Sequence, residues 1–282
     1  MFTDQIRTYG RLIKFSHTIF ALPFALASVL LAHRERPVSL WALFWIVAAM
    51  VGARSAAMGF NRAADVRYDR VNPRTATRPS VTGEIAESSI IGFVALSSAL
   101  FILSAAMLGK LCLLLSLPVL GILFAYSYTK RFTAYSHLFL GLAIGLAPTG
   151  AWIAATGSLD PRALLLTVAL MTYIAGFDIL YACQDIDFDR SEGLFSMPSR
   201  WGVEKSLQVS CILHGITFFT LAALRPAFHL DVAFVGALLA IGALLVAEHW
   251  LVRPNHMENI NLAFFHVNSV ISVLIFVGVL IA

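Results

Sequence analysis

The chain has 282 residues, of which 59% are apolar and 13% charged, with a formal net charge of +4. Soluble domains carry about 25% charged residues, so this composition excludes an ordinary soluble protein and points to an all-α integral membrane protein. The positive balance does not indicate nucleic acid, because its placement along the chain follows membrane topology.

Residues 3–14 set Arg7, Arg11 and Lys14 among apolar side chains, the pattern of a short helix lying in the membrane interface. A crossing helix needs about 20 mainly apolar residues, and such runs then recur to the end of the chain. Nine spans are predicted, at residues 17–32, 41–60, 88–108, 111–128, 137–155, 164–183, 206–224, 231–250 and 262–282. The first lacks a cleavage site and leads into eight more, so it reads as a span and not as a removable signal. The longest connector is about 25 residues, too short for a soluble domain, so residues 1–282 read as a single membrane domain. Cys112, Cys183 and Cys211 fall inside spans without metal-ligand spacing and are expected to be buried, inert thiols.

Arg54 lies within the second span, seven residues before Asn61. An ionisable group inside a span costs a few kcal/mol on insertion scales and is a functional candidate by default. Facing a polar cavity is the expectation, with snorkelling to the surface as the alternative. The second span ends in Asn61-Arg-Ala-Ala-Asp65-Val-Arg-Tyr-Asp69, followed by Arg74-Thr-Ala-Thr-Arg78-Pro79. The fourth ends in Lys130-Arg131, and the sixth in Asp178-Ile-Leu-Tyr181-Ala-Cys-Gln-Asp185-Ile-Asp187-Phe-Asp189. His17, His214, His249, His256 and His266 form no cluster in sequence, and Glu248 reads as a boundary marker of the eighth span.

With the amino terminus inside, fourteen lysines and arginines lie on cytoplasmic segments and five on the opposite side. This bias sets the expected orientation, with the carboxy terminus outside after an odd number of spans. Both acidic stretches follow even-numbered spans and emerge on the same, cytoplasmic face, where the topology allows them to meet. Within each, polar groups recur at four-residue steps and share one side of a helix. Like charges so placed repel, more so near a membrane, so a cation is expected between them. Hard oxygen ligands suit Mg²⁺, which bridges one or two carboxylates to substrate phosphates. On a continuous helix Asp178, Asp185 and Asp189 share a face, and Asp187 points away. Arginine forks and lysine point charges suit phosphate oxygens. Arg78, beside a proline after an acidic stretch, is the better candidate, while Lys130 or Arg131 taken singly is explained as well by the charge bias.

The set Asn61-xxx-Asp65-xxx-Asp69, Arg74-Thr-xx-Arg78-Pro79 and Asp178-xx-Tyr181-xxx-Asp185-xxx-Asp189 resembles the UbiA superfamily of membrane prenyltransferases. Arg11-Leu-Ile-Lys14-Phe, Arg54 and Tyr126-xxx-Lys130-Arg131 agree, so the resemblance covers nearly the whole chain. It implies nine helices bundled around a central cavity open to lipid. It implies Asn61, Asp65, Asp69, Asp185 and Asp189 as Mg²⁺ ligands, the four aspartates being catalytic. Arg74, Arg78, Lys130 and Arg131 would then meet the diphosphate of a polyprenyl donor, and Arg54, Asp178 and Tyr181 a small phenolic carboxylate. The implied reaction ionises the donor and joins its allylic cation to an electron-rich ring carbon, in a dry apolar cavity.

The stretches around residues 13–24 and 176–185 look closest to the 4-hydroxybenzoate polyprenyltransferase branch. They also look like its menaquinone-pathway relatives acting on 1,4-dihydroxy-6-naphthoate. Quinone biosynthesis in the cell (inner) membrane is the implied setting. A cation-coupled transporter is the alternative of another class. Its sites would lie near the bilayer midplane on broken helices, whereas these carboxylates sit at helix ends.

Overall fold

The computed structural model describes residues 2–254, 257 and 260–282. It begins with α1 (Phe2–Leu12), a 3₁₀ turn (Phe15–Phe20), α2 (Leu22–Glu35), α3 (Leu40–Val71) and α4 (Pro79–Thr82). Next come α5 (Glu87–Leu108), α6 (Lys110–Thr129), α7 (Ser136–Thr156) and α8 (Ala163–Ala182). A 3₁₀ turn (Cys183–Asp185) leads to α9 (Ile186–Ser191), α10 (Met197–Trp201), α11 (Val203–Phe228) and α12 (Val232–Leu251). The chain closes with α13 (Ile260–Leu262), a π-helical turn (Ala263–Val267) and α14 (Asn268–Ile281). Among the described residues nine helices are long and apolar enough to cross a membrane, as expected.

Helix α3 runs past the apolar span predicted to end at Phe60 and continues to Val71, so Asn61, Asp65 and Asp69 are helical, as their four-residue spacing predicts. Residues 61–71 hold no glycine or proline, and the stop comes only before Pro73, which disfavours helix at Asn72. A helix of 32 residues is about 48 Å long, against roughly 30 Å of hydrocarbon. The extra length lets the last turns, with Asn61, Asp65 and Asp69, continue the same helix.

The chain forms two compact units. The first comprises Met1–Thr18 and Leu40–Tyr128. Within it α3 packs along α5, and Gly52 sets how closely. A Cβ there would lie 2.8 Å from the Phe101 backbone nitrogen and 2.9 Å from the Ser97 carbonyl oxygen. Small residues permit such approach where lipid removes the hydrophobic drive between helices. A single residue, Gly109 at φ +132°, turns α5 into α6, a backbone state that glycine adopts without strain. The α1 helix is anchored by Leu12, buried against Ile85 and Ile90.

The second unit comprises Ile19–Ser39 and Thr129–Ala282. Its most buried helix is α8, with α7 and α11 packed along it. Gly141 and Gly145 on α7 face Met171 of α8, a small-xxx-small contact. Phe24, Trp152, Leu166, Leu170 and Tyr173 fill the core. At one end Arg162 pairs with both Asp160 and Glu35 and lies over the Phe228 ring. Its hydrogen bond holds the Asp160 carboxyl below the usual range.

Two expectations are corrected in this unit. His214 and His249 do pair, Nδ1 to Nε2 at 3.0 Å, through helices whose faces meet only on packing. Glu248 does lie in the last turn of α12, but not as a solvated end group. It is fully buried and accepts from Asn268 Nδ2 at 2.8 Å. The wide π turn frees the carbonyls of Ala263 and Phe264, and Asn268 Nδ2 donates to both. Tyr173 Oη donates to the Asn268 carbonyl at 2.8 Å, joining α8 to the same polar seam. His256 lies outside the described residues. The cysteines are free thiols, but only Cys183 is buried; Cys211 is exposed on a span, where lipid replaces protein as the apolar surrounding.

Candidate active site

In the first unit the last turns of α3 form an acidic face. Asn61 Nδ2 donates to Asp65 Oδ2 at 3.1 Å and to Ser127 Oγ of α6 at 3.3 Å. Asp65 and Asp69 are 3% and 5% exposed. Buried carboxylates demand compensation, and arginine supplies it at Asp69. Arg78 Nη1 stands 2.6 Å from both of its oxygens, and Arg62 Nη1 lies 3.4 Å from Oδ2. Thr75 Oγ1 donates to the Asp69 carbonyl at 3.0 Å, folding the 72–78 turn back onto the helix so that Arg78 can reach. Arg74 sits on that turn, exposed, its backbone N–H bound by Asn72 Oδ1. At Asp69 part of that compensation is therefore the protein's own arginine.

Arg54 reaches toward the end of α1. It is part-buried, and its Nη2 donates to the Lys14 carbonyl at 3.1 Å. Lys14 holds a left-handed backbone, φ +47°, which breaks the chain between α1 and the 3₁₀ turn and turns its carbonyl toward Arg54. Burial, with the nearby charges of Arg78, Arg62 and Arg74, lowers the Lys14 ammonium to about 8. Sequence reasoning assigned no site role to Lys14 or Arg62. The only signals were a basic residue at the end of the interfacial helix and an arginine beside Asn61.

In the second unit the 3₁₀ turn Cys183–Asp185 breaks the helix that was expected to run unbroken through Asp189. Such a turn advances about 120° per residue against about 100° in an α-helix, so phase cannot be carried from Asp178 to Asp189. The expected ordering of exposure still appears, with Asp185 and Asp189 part-buried and Asp187 exposed. Asp189 Oδ2 accepts from Ser196 Oγ at 2.6 Å, and that hydroxyl also accepts from the Ser199 N–H as the cap of α10. Phe195 N–H donates to the Lys130 carbonyl at 2.6 Å, bringing the Lys130-Arg131 pair beside the loop. Asp178 Oδ2 stands 2.7 Å from His137 Nδ1. Tyr181 stacks on Phe264, ring centroids 4.0 Å apart. Neither His137 nor Ser196 was singled out from sequence.

Among the described residues no three His, Cys, Asp or Glu side chains converge on a metal position. The donors available are amide and carboxylate oxygens, one acidic set in each unit. That chemistry fits Mg²⁺, which keeps several waters and uses one or two carboxylates with substrate phosphates, unlike metals held in all-protein cages.

The fold and site are those of a multi-pass helical membrane protein with acidic sets near helix ends and arginine or lysine beside them. Residues 21–270 match the model described as the UbiA prenyltransferase family. The chain belongs to that family and is a membrane prenyltransferase, which replaces the transport reading. It is 30% identical to the 4-hydroxybenzoate octaprenyltransferase of Nitrosomonas europaea, over 99% of this chain and 96% of that protein. It is 27% identical to the enzyme of the same name from Pseudomonas fluorescens, over 96% and 97%. Among solved structures, the apo UbiA homolog from Aeropyrum pernix K1 superposes with a TM-score of 0.85 at 33% identity, over 94% of this chain and 97% of that one. The homolog from Archaeoglobus fulgidus bound to GPP and Mg²⁺ shares the fold, with a TM-score of 0.63 at 21% identity over 94% and 99%.

Proposed function

We propose that this protein, acting as one membrane domain over residues 1–282, transfers a polyprenyl group from its diphosphate to a ring carbon of a small phenolic carboxylate of the 4-hydroxybenzoate type. Near full-length similarity to 4-hydroxybenzoate octaprenyltransferases is the observation that carries this reading. The setting is quinone biosynthesis in the inner membrane, with the acidic sets on the cytoplasmic side. Mg²⁺, when bound, would offset charge on the departing diphosphate. Asn61, Asp65 and Asp69, with Asp185 and Asp189, are the residues that would hold it, the aspartates being catalytic through it.

Arg74, Arg78, Lys130 and Arg131 bind phosphate oxygens, where arginine's fork and lysine's point charge are well matched. Arg54 meets the acceptor carboxylate, and Asp178 and Tyr181 meet its phenol. Apolar side chains of the spans keep water from the allylic cation. Purified protein, given prenyl diphosphates of several lengths with 4-hydroxybenzoate or 1,4-dihydroxy-6-naphthoate, should release diphosphate and form a prenylated hydroxybenzoate only with Mg²⁺ present. Full turnover in excess chelator would remove the metal from the reading, and prenylation of the naphthoate alone would replace the acceptor.

A further inference from the structure

His137 stands at the first turn of α7, and both of its ring nitrogens are engaged. The backbone N–H of Met197 donates to Nε2 at 3.3 Å, so Nε2 holds a lone pair. The ring proton therefore sits on Nδ1, 2.7 Å from Asp178 Oδ2, and is donated to that carboxylate. One ring nitrogen's partner sets the role of the other. The imidazole is 4% exposed and the Asp178 side chain 26%. Asp178 thus has one oxygen fixed from the protein side, and its other, Oδ1, meets no donor among the described residues.

The Met197 N–H belongs to the first turn of α10, whose cap is Ser196. The same Ser196 hydroxyl donates to Asp189 at 2.6 Å. Asp178 and Asp189 lie on opposite sides of the 3₁₀ break, so the helix does not fix their spacing. The 196–197 backbone does, through a hydroxyl to one carboxylate and through His137 to the other.

We propose that His137 is the positioning residue that aims Asp178 Oδ1 at the hydroxyl of the phenolic acceptor. This rests on the reading of Asp178 as an acceptor contact. A phenol that donates to a carboxylate forms a charge-assisted hydrogen bond, which draws electron density into the ring carbon that must attack. An imidazole donating to the far oxygen holds that carboxylate in one rotamer, so less orientation is lost when the acceptor binds. Removing a residue that orients a functional group from behind typically costs about 10- to 100-fold.

Steady-state kinetics with geranyl diphosphate and 4-hydroxybenzoate test the assignment in His137→Phe, His137→Asn, Asp178→Asn and the double variant of Asp178→Asn with His137→Phe. His137→Phe should lower kcat/KM for the acceptor by about 10- to 100-fold and leave KM for geranyl diphosphate within about 2-fold. His137→Asn, whose amide nitrogen replaces Nδ1, should recover most of the loss. In the Asp178→Asn background His137→Phe should cost no further activity beyond about 2-fold. Separately, ¹⁵N spectra of histidine-labelled protein, assigned by difference from His137→Asn, should show the proton on Nδ1 and none on Nε2. Additive losses, or an equal rise in KM for the diphosphate, would overturn the positioning role and leave the acceptor reading of Asp178 standing. Unchanged acceptor kinetics in Asp178→Asn would overturn both, and a proton on Nε2 would overturn the geometry whatever the acceptor.

Discussion

Arg78 holds Asp69 with one nitrogen, Nη1, placed 2.6 Å from each carboxylate oxygen. The pair is mostly removed from solvent, with side-chain exposures of 19% and 7%. Removing one partner of a buried pair leaves an uncompensated charge and costs about 3 kcal/mol at the low end of the range. The low end applies because Arg62 stays beside Asp69. Arg78→Ala should therefore lower the unfolding midpoint in detergent, and adding Asp69→Asn should restore most of it. A double variant less stable than the single one would show that Arg78 acts elsewhere.

Lys14 gives the first unit a pH dependence with a definite sign. Its ammonium is lowered from 10.5 to about 8, first by burial. Below about 8 the group is charged in folded and unfolded chains alike, and folding bears the full cost of burying it. Between about 8 and 10.5 the folded protein sheds the proton first, so this group's contribution to stability rises with pH. Its positive charge near Arg62, Arg74 and Arg78 is lost over the same window. If it meets the diphosphate, kcat/KM for the donor should fall roughly tenfold between pH 7 and 9.5. Lys14→Arg should flatten that profile, and an unchanged slope would separate Lys14 from the donor.

Arg54 is anchored on the Lys14 carbonyl and remains inside the first unit. Arg54→Ala should cut kcat/KM for a carboxylate-bearing phenol by roughly tenfold or more and spare its decarboxylated analogue. Comparing the two acceptors with one donor decides this. Equal effects on both would make Arg54 a prop for the Lys14 turn.

Asp187 is exposed, while Asp185 and Asp189 are part-buried. Asp187→Asn should keep most of the activity, whereas Asp185→Asn and Asp189→Asn should each lose on the order of 100-fold. Turnover of the three single variants is the measurement. Matching losses at Asp187 and Asp185 would place both carboxylates in the chemistry.

The fourteen-to-five bias of basic residues predicts a cytoplasmic amino terminus. A phosphatase reporter fused after Ala282 should be active only outside the cytoplasm. Activity inside would invert the topology.

Membrane crossing, the number of spans and the acidic repeats on α3 were legible from sequence, because each depends on neighbours in the chain. Hydropathy over about 20 residues decides a span, and four-residue spacing decides a helix face. Family membership was legible for a similar reason, since its motifs are short and contiguous. The partners of those motifs were not. His137 lies 41 residues from Asp178, and Met197 lies 60 from His137. His214 and His249, 35 residues apart, meet only because α11 and α12 turn the right faces together. The helix break at Cys183–Asp185 likewise escaped a reading that assumed uniform phase, since nothing local forbids an α-helix there. Periodicity sets which residues share a helix face. Helix rotation and packing set what that face meets, and only the tertiary structure contains them.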